Sequence, residues 1–253
     1  MEKKPESVIL ILRDITRQQK LEDMRKEFVA NVSHELKTPL TSIKSYSETL
    51  LSGMVEDQDT LIKFLRVIDS EAERMSNLVR DLLQLSSIDM DQLKLNKNRH
   101  VVMDLIQKTI EKVSFEADKK RQRITTDIRF EGKAPMDHDR IQQVLINLLG
   151  NAIKYTDEEG TIHVACWQQD DELRISVEDN GVGIPEKDLP RVFDRFYRVD
   201  KGRSRKMGGT GLGLAIAREI MLAHMGDISI ESRLDEGTRV TLTLPLKYIG
   251  GSG

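Results

Sequence analysis

The sequence predicts an α+β protein: an antiparallel two-helix hairpin, which pairs with that of a second copy in a four-helix bundle, followed by an α/β-sandwich domain. Two long stretches near the N-terminus carry apolar residues every three or four positions and predict the helices. Helical and strand-like segments then alternate, which predicts a separate sandwich. The 253 residues are enough for one or two domains with a buried core.

A short apolar run precedes the first helix. Ser7–Arg13 (SVILILR) is rich in branched side chains and predicts a buried strand. Residues 1–16 are interpreted as the exit strand of an upstream domain that this chain lacks. The alternative is a strand that packs on the rest of the chain. The polar stretch after Thr16 has good helix formers and no Gly or Pro, so the strand is expected to lead into a long helix.

The two helices of the hairpin are predicted from about Gln18 to Ser52 and from about Thr60 onwards. Gly53 and the polar segment 56–59 break the apolar pattern between them. The first helix has one apolar stripe: Phe28, Val29, Val32, Leu36, Leu40, Ile43, Tyr46 and Leu50. The second repeats the spacing: Leu61, Leu65, Ile68, Ala72, Met75, Leu78, Leu82 and Leu85. A lone hairpin leaves much of this surface in water, so we expect a homodimer.

The sandwich is predicted to span residues 99–247, after a hairpin at 17–92 and a linker at 93–98. Its predicted helices are Val101–Ala117, Asp139–Tyr155 and Thr210–Met225. Its predicted strands, mostly antiparallel, are Arg123–Phe130, Thr161–Trp167, Leu173–Glu178, Ile228–Ser232 and Arg239–Leu244. Residues 248–253 are interpreted as a flexible tail.

Composition and charge exclude several classes of protein. With 39 basic and 42 acidic side chains, the chain lacks the basic excess of a nucleic-acid binder, and no nucleic-acid partner is expected. A single cysteine, Cys166, excludes a disulfide framework and fits a reducing, cytoplasmic location; we interpret it as a core residue of a strand. No run approaches the roughly 18 apolar residues of a membrane span, so membrane attachment is expected only through segments that this chain lacks.

One histidine is predicted to lie on the polar side of the first helix. At about 100° per residue, His34 falls well away from the apolar stripe, so its imidazole should face solvent. Glu35 follows it, and Pro39, which cannot donate a helical hydrogen bond, predicts a bend just after the histidine. An imidazole beside a carboxylate that takes its other proton is a competent nucleophile. The remaining histidines lack ligand spacing and are expected to be structural or surface residues: His100, His138, His163 and His224.

Two asparagines and a lysine share one face of the helix predicted at Asp139–Tyr155. Asn147, Asn151 and Lys154 fall outside its apolar face. Amide oxygens suit a hard cation and an ammonium group suits phosphate, so Mg²⁺ with nucleotide phosphates is the ligand that fits. A solvated polar face is the alternative for this helix by itself.

Two glycine motifs strengthen the prediction of a nucleotide site. Asp179 ends a predicted strand before Gly181 and Gly183, and a buried carboxylate there can accept a hydrogen bond from an exocyclic amine, which selects adenine. A glycine string at 208–214 opens the next predicted helix, where amide groups cradle phosphates. Residues 191–206 between the motifs predict either a mobile lid over a triphosphate or a structured surface loop.

Together these residues resemble the sensor histidine kinases of two-component systems, over about residues 17–246. Five motifs occur in the family's order: the phosphoacceptor box at His34–Pro39, the N box at Asn147–Tyr155, the first glycine box at Asp179–Gly183, the F box at Phe193–Phe196 and the second glycine box at Gly209–Gly213. The amino-acid sequence from Phe193 to Ala217 is most similar to that of Gram-positive kinases of the cell-wall-homeostasis and phosphate-sensing type. The segment ending at Thr16 is similar to the exit strand of a PAS domain.

The resemblance implies a role for each position. His34 would be phosphorylated, with Glu35 as the base, and Thr38 would orient water when the partner is dephosphorylated. The implied metal ligand is Asn147, which would hold Mg²⁺. The implied ATP contacts are Asn147, Asn151, Lys154, Tyr155, Asp179, Gly181, Gly183, Arg198, Gly209, Gly211, Gly213 and Thr238. Among them, Asp179 would read the adenine amine and Arg198 would meet the γ-phosphate.

The resemblance also implies an activity and a fold. The sandwich would be an ATP-binding domain of the GHKL (Bergerat) type that swings onto the hairpin to phosphorylate His34. The phosphoryl group would pass to an aspartate of a response-regulator receiver domain, and the kinase would also dephosphorylate that regulator. Two alternatives remain: a conformational ATPase, against which the box at His34 counts, and a dimeric scaffold with a vestigial ATP site, against which the intact Asn147, Lys154 and Asp179 count.

Overall fold

The computed structural model describes residues 14–89, 95–199 and 209–247. Its helices are α1 (Thr16–Leu51), α2 (Gln58–Asp89), α3 (Val102–Lys119), α4 (His138–Tyr155) and α5 (Gly213–Ala223), with a 3₁₀ helix at Glu186–Arg191. Its strands are β1 (Asn98–Val101), β2 (Arg123–Ile128), β3 (Lys133–Met136), β4 (Thr161–Gln169), β5 (Glu172–Asp179), β6 (Asp227–Arg233) and β7 (Gly237–Pro245). The predicted strand at 7–13, the start of the predicted linker and the tail at 248–253 lie outside the described residues. Within those described ranges, no helix has both the length and the apolar character that crossing a bilayer requires.

The N-terminal unit, residues 1–72, contains α1 and the first part of α2. Gly53, in the turn after α1, has a φ of +71°, a left-handed value that glycine adopts at little cost. Asp57 caps α2, because its carboxylate accepts a hydrogen bond from the N–H of Thr60 at 2.8 Å. The rings of Tyr46 and Phe64 meet edge to face, with centroids 4.8 Å apart. The two helices therefore form the predicted hairpin.

Apolar side chains of this hairpin remain partly in water. Val29 and Leu40 of α1 are each 56% exposed, and Leu65 of α2 is 50% exposed. All three belong to the apolar positions that the sequence predicts to face other helices. A row of exposed apolar side chains of this kind marks an interaction surface.

The C-terminal unit, residues 73–253, holds a two-layer sandwich in its described part. One sheet has the strand order β2-β4-β5-β7-β6, in which β2 and β4 are parallel and the other neighbours antiparallel. Alternate residues of β4 point into the core, where Ile162, Val164 and Cys166 are buried. Helices α3, α4 and α5 add their buried apolar side chains to this core. The predicted α/β sandwich and the core position of Cys166 are confirmed.

Two features of this unit differ from the prediction. The sequence does not predict β1 and β3, which pair as a separate two-stranded sheet. Each is four residues long, too short for an alternating pattern, and Pro135 disfavours a strand. The last helix begins at Gly213 and not at Thr210. Gly211 has a φ of +72°, outside the helical region, and the Thr210 hydroxyl accepts a hydrogen bond from the N–H of Leu212, so these residues form a turn.

The second half of α2, from residue 73 onwards, packs within the C-terminal unit. Leu85 is fully buried there. The side-chain amides of Gln84 and of Gln143 on α4 donate hydrogen bonds to each other, which satisfies both amides at a partly buried contact. The end of α2 therefore packs beside the first turns of α4.

His224 connects the end of α5 to the start of α4. It is 2% exposed. Its Nε2 accepts a hydrogen bond from the N–H of Asp137 at 3.0 Å, and its Nδ1 donates to the carbonyl of Ile220 at 2.8 Å. A ring with one accepting and one donating nitrogen is neutral. Burial lowers the pKa of His224, and the nearby Lys97 adds to this, whereas hydrogen bonding to Ile220 and the charge of Asp137 oppose it. The predicted structural role of this histidine is confirmed.

We expect the neutral His224 ring to make stability fall in acid. The unfolded chain takes up a proton at this histidine as the pH falls through about 6.5, whereas the folded chain keeps the ring neutral to a lower pH. The unfolded state then binds more protons, so stability is lost as the pH decreases. The Tm advantage of the wild type over His224→Gln should therefore shrink between about pH 7.5 and about pH 5.5. A Tm difference that stays constant over this range would contradict the prediction.

Candidate functional site

His34 lies on α1 and is exposed, as the sequence predicts. Thr38, one turn further on, donates a hydrogen bond from its hydroxyl to the carbonyl of His34 at 3.2 Å. Glu35 is half-buried and Pro39 is buried. Helix α1 continues through Pro39 without interruption, and the bend expected at this proline stays a prediction. The imidazole is thus exposed to solvent on a continuous helix.

The polar face of α4 contacts the second glycine box. Asn147, Asn151 and Lys154 are all half-buried. The Nδ2 of Asn147 donates a hydrogen bond to the carbonyl of Gly213, at the start of α5, at 3.1 Å. Gly209 lies so close to Lys154 that a Cβ there would be 2.5 Å from the Lys154 ammonium nitrogen. The structure therefore brings together the two motifs that the sequence assigns to phosphate binding.

Both ends of α4 are fixed by side chains that the sequence analysis did not single out. Asp137 caps its start by accepting a hydrogen bond from the N–H of Arg140 at 3.2 Å. At its end, the ammonium group of Lys120 donates to the carbonyls of Ile153, Lys154 and Thr156 at 2.8–3.0 Å. A cation also suits the negative end of the helix dipole. These contacts hold the last turn of α4, which carries Lys154 and Tyr155.

Asp179 is the last residue of β5 and is partly buried. Burial raises its pKa to about 6, although hydrogen bonds from the backbone of Gly181 and Thr238 act in the opposite direction. The Oδ1 atom accepts the N–H of Gly181 at 2.9 Å. A Cβ at Gly181 would lie 2.4 Å from the carbonyl oxygen of Tyr155, so this position requires a glycine. Asp179 therefore offers a hydrogen-bond acceptor beside bare backbone, as the sequence predicts.

Two further glycines pack the β6–β7 hairpin against Asp179 and its loop. Gly183 has a φ of +64°, and a Cβ there would lie 1.9 Å from the carbonyl oxygen of Arg233. Gly237, which the sequence analysis did not single out, has a φ of +108°, and a Cβ there would lie 1.9 Å from the carbonyl oxygen of Asp179. The isolated glycine in a predicted turn before a strand was the only sequence signal for Gly237.

We expect Gly237→Ala to destabilise the C-terminal unit by about 2–4 kcal/mol, because the new methyl group meets backbone in a conformation that L-residues rarely adopt. Thermal unfolding measures this loss. The matched control is Gly150→Ala, in α4, where nothing lies within 4 Å of the added Cβ; it should be neutral or stabilise by up to about 1 kcal/mol. Equal Tm values for the two variants would contradict the left-handed φ of Gly237 and its close approach to the Asp179 carbonyl.

The F box and the second glycine box are joined by a backbone hydrogen bond. The N–H of Phe196 donates to the carbonyl of Gly211 at 2.9 Å, and both residues have left-handed φ values, +63° and +72°. The hydroxyl of Tyr197 donates a hydrogen bond to Asp188 at 2.7 Å.

Arg198 is half-buried just before residues 200–208, which lie outside the described part of the chain. Its predicted contact with a γ-phosphate, and the predicted lid, stay predictions.

Asp81 of α2 also contacts the second glycine box. Its carboxylate accepts a hydrogen bond from the Thr210 hydroxyl at 2.9 Å, and burial raises the pKa of this carboxyl, against the effect of that bond. The sequence carried only a weak signal for this contact: Asp81 lies about one helical turn from both Leu78 and Leu85, next to the edge of the apolar face of α2. A carboxylate that becomes partly buried there needs a partner, and Thr210 is that partner.

The arrangement fits a purine nucleotide with an amino group. Asp179 supplies a partly buried acceptor for that amine. Lys154 places a cation beside the glycines that precede α5, and backbone N–H groups at a glycine-rich helix start are groups that can bind phosphates. Because the Nδ2 of Asn147 is bonded to Gly213, its Oδ1 is the atom that can bind a cation. The described residues therefore suit Mg²⁺-bound ATP.

Comparison with known proteins places the chain in a family. Residues 24–91 match the His Kinase A (phospho-acceptor) domain, and residues 136–248 match the histidine kinase-, DNA gyrase B- and HSP90-like ATPase family. The chain is 44% identical over 246 residues to the sensor histidine kinase WalK of Bacillus subtilis strain 168, covering 96% of this chain and 40% of that protein. It is 44% identical over 247 residues to a sensor protein kinase WalK of Staphylococcus aureus, covering 95% of this chain and 58% of that protein.

Solved structures agree with this placement. The histidine kinase ThkA, in complex with response regulator protein TrrA, matches with a TM-score of 0.72 and 26% identity, over 92% of this chain and 65% of that one. The chain belongs to the two-component sensor histidine kinases, a family of protein histidine kinases, and contains their catalytic portion. Its C-terminal unit has the GHKL fold of that family. The chain spans 40% and 58% of the length of these two curated relatives.

Proposed function

We propose that this protein uses ATP to phosphorylate its own His34 and then passes the phosphoryl group to an aspartate of a response regulator. The observation that carries the proposal is an exposed imidazole at His34 in a chain that also presents a partly buried acceptor, Asp179, at the end of β5. A conformational ATPase has no use for the phosphoacceptor box. A signalling scaffold has no use for an intact nucleotide site.

In the first proposed step, an imidazole nitrogen of His34 attacks the γ-phosphorus of ATP. A phosphorus–nitrogen bond forms, the bond from the γ-phosphorus to the bridging oxygen breaks, and ADP leaves with that electron pair. The proton on the other ring nitrogen passes to Glu35, the next residue of α1. Such a transfer depends mainly on positioning and charge neutralisation, so exposure of His34 to an incoming nucleotide is the main requirement on α1.

The nucleotide site is proposed to hold ATP from both ends. Asp179 accepts the adenine amine, Gly181 and Gly183 let the backbone approach the base, and Thr238 lies beside it. Toward the phosphates, the proposed contacts are Asn147, Asn151, Lys154, Tyr155, Arg198, Gly209, Gly211 and Gly213. Asn147 is the proposed Mg²⁺ ligand. When bound, this ion neutralises charge that develops on the phosphate oxygens.

The second proposed step transfers the phosphoryl group from His34 to a carboxylate oxygen of a receiver-domain aspartate, breaking the phosphorus–nitrogen bond. The match to ThkA, solved in complex with a response regulator protein, supports a partner of this kind. We further propose that the kinase dephosphorylates that regulator, with Thr38 orienting the attacking water. Thr38 supports this role by its position one helical turn from His34, on the same face of α1.

The proposed working form is a homodimer in which residues 17–92 of two copies make a four-helix bundle. The exposed apolar side chains of the hairpin, Val29, Leu40 and Leu65 among them, support a second copy as the partner. Residues 99–247 are the proposed ATP-binding domain, residues 93–98 the linker, and residues 1–16 the exit of a PAS-like domain. In the proposed transfer step this domain docks on the hairpin. We place this catalytic portion in the cytoplasm, and any membrane anchor in segments outside this chain.

Incubation with γ-labelled ATP and Mg²⁺ tests the proposal. The protein should become labelled, and the label should be lost in acid but kept in base, as expected for phosphate on an imidazole nitrogen. Release of free phosphate without labelled protein would instead identify a conformational ATPase. Nucleotide binding with neither product would identify a scaffold.

A further inference from the structure

The hydroxyl of Ser232 connects three chain segments that lie beside Asp179. Ser232 lies on β6, directly opposite Thr238 of β7. Its Oγ donates a hydrogen bond to the carbonyl of Gly237 at 2.7 Å and accepts the N–H of Ile184, from the loop after β5, at 2.8 Å. The Thr238 hydroxyl oxygen lies 2.8 Å from the same Oγ. One side chain therefore connects β6, β7 and the end of the first glycine box.

These contacts fix the direction of the hydrogen bond between the two hydroxyls. A serine hydroxyl has one hydrogen and two lone pairs. The carbonyl of Gly237 can only accept, so it takes the Ser232 hydrogen. The N–H of Ile184 uses one lone pair, and the other lone pair accepts the hydrogen of Thr238. Thr238 has then donated its only hydroxyl hydrogen, and its Oγ1 can only accept a hydrogen bond from a ligand.

Thr238 stands beside the residue that is proposed to read the base. In the β5–β7 pairing it lies directly opposite Asp179. The carboxylate of Asp179, when ionised, is also an acceptor. Two acceptors side by side favour an exocyclic amine and oppose a carbonyl oxygen at the same place, because a buried oxygen that faces only acceptors stays without a partner.

We propose that Ser232 is a specificity-determining residue, which orients the Thr238 hydroxyl as an acceptor and so selects a 6-amino purine over a 6-oxo purine. The inference rests on the proposed function, since it takes ATP as the ligand at Asp179. Ser232 acts through Thr238 and is a positioning residue, with no role in the transfer step.

Calorimetric titration of the full chain with ATP and with ITP, which has an oxygen in place of the 6-amino group, tests this inference. The Kd of each nucleotide would be measured for the wild type, Ser232→Ala, Ser232→Thr and Ser229→Ala. In Ser232→Ala the Thr238 hydroxyl can rotate and donate to the 6-oxo group, so the preference for ATP over ITP should fall by about tenfold. Ser232→Thr keeps a hydroxyl and should keep the preference. Ser229, an exposed residue of the same strand, is the matched control.

The ratio of the two Kd values separates specificity from stability. Partial unfolding of Ser232→Ala weakens both nucleotides by the same factor and leaves the ratio unchanged. An unchanged ratio in Ser232→Ala, with ATP binding by the wild type intact, would therefore overturn this inference alone. Failure of the wild type to bind ATP would overturn the proposed function and this inference with it.

Discussion

Replacing His34 by glutamine should abolish transfer of phosphate from γ-labelled ATP to the protein while leaving the Kd for ATP unchanged. Glutamine has a similar size and polarity, but its amide nitrogen is not a nucleophile. Because His34 is exposed on α1, the substitution should alter the free energy of unfolding by less than about 0.5 kcal/mol. Labelling measures the loss, and calorimetric titration with ATP checks that the nucleotide site is intact.

The matched control for this variant is His138→Gln. His138 is half-buried at the start of α4, where it contacts Asp139, and it belongs to none of the proposed sites. It should keep wild-type labelling. Label on His34→Gln at the wild-type level would remove His34 as the acceptor and with it the proposed function.

Replacing Asp179 by asparagine should weaken ATP binding by about 100-fold, because a charge-assisted hydrogen bond is lost and a donor faces the adenine amine. The asparagine Oδ1 can still accept the N–H of Gly181, so the loop after β5 should keep its conformation. Calorimetric titration with ATP measures the effect. Glu178→Gln, one residue earlier and on the exposed side with Arg239, is the control that should bind ATP normally. Equal ATP affinities for Asp179→Asn and the wild type would exclude Asp179 as the residue that reads adenine.

The same carboxyl should make ATP binding depend on pH. Burial raises the pKa of Asp179 to about 6. The ionised form is the better acceptor for the adenine amine, so wild-type affinity should fall as the pH decreases through about 6, as protonation competes with binding. Titrations of the wild type and of Asp179→Asn at a series of pH values should therefore converge in acid. A wild-type curve that remains parallel to that of the variant would assign the pH dependence to another group.

Much of the fold could be predicted from the sequence, because its signals are local. The three-and-four spacing of apolar residues gives the two helices of the hairpin, and the same projection places His34 on the exposed side. The alternating pattern gives the longer strands, and the order of the motifs gives the family. Short elements such as β1 and β3 could not be predicted, since four residues are too few for a pattern.

The candidate site also has residues that the sequence identifies and supporting contacts that it does not. Chemistry-bearing residues such as Asn147, Lys154 and Asp179 stand out in the sequence, because glycines or helical spacing surround them. Their supporting partners do not stand out. Lys120 contacts the carbonyls of Ile153, Lys154 and Thr156, more than thirty residues further along the chain, and Asp81 contacts Thr210, more than a hundred residues away. Such contacts depend on which elements become neighbours.

By itself, the sequence determined where the long helices and the longer strands form, that His34 faces water and which residues can carry the chemistry. Only the tertiary structure decided that Ser232 and Asp179 flank Thr238 and that Gly237 lies against the Asp179 carbonyl. The physical reason is strand register: β5, β7 and β6 are adjacent in the sheet although more than forty residues separate β5 from β6. A hydrogen bond between strands that are distant in the sequence produces no periodic pattern of residues, so the sequence by itself does not reveal it.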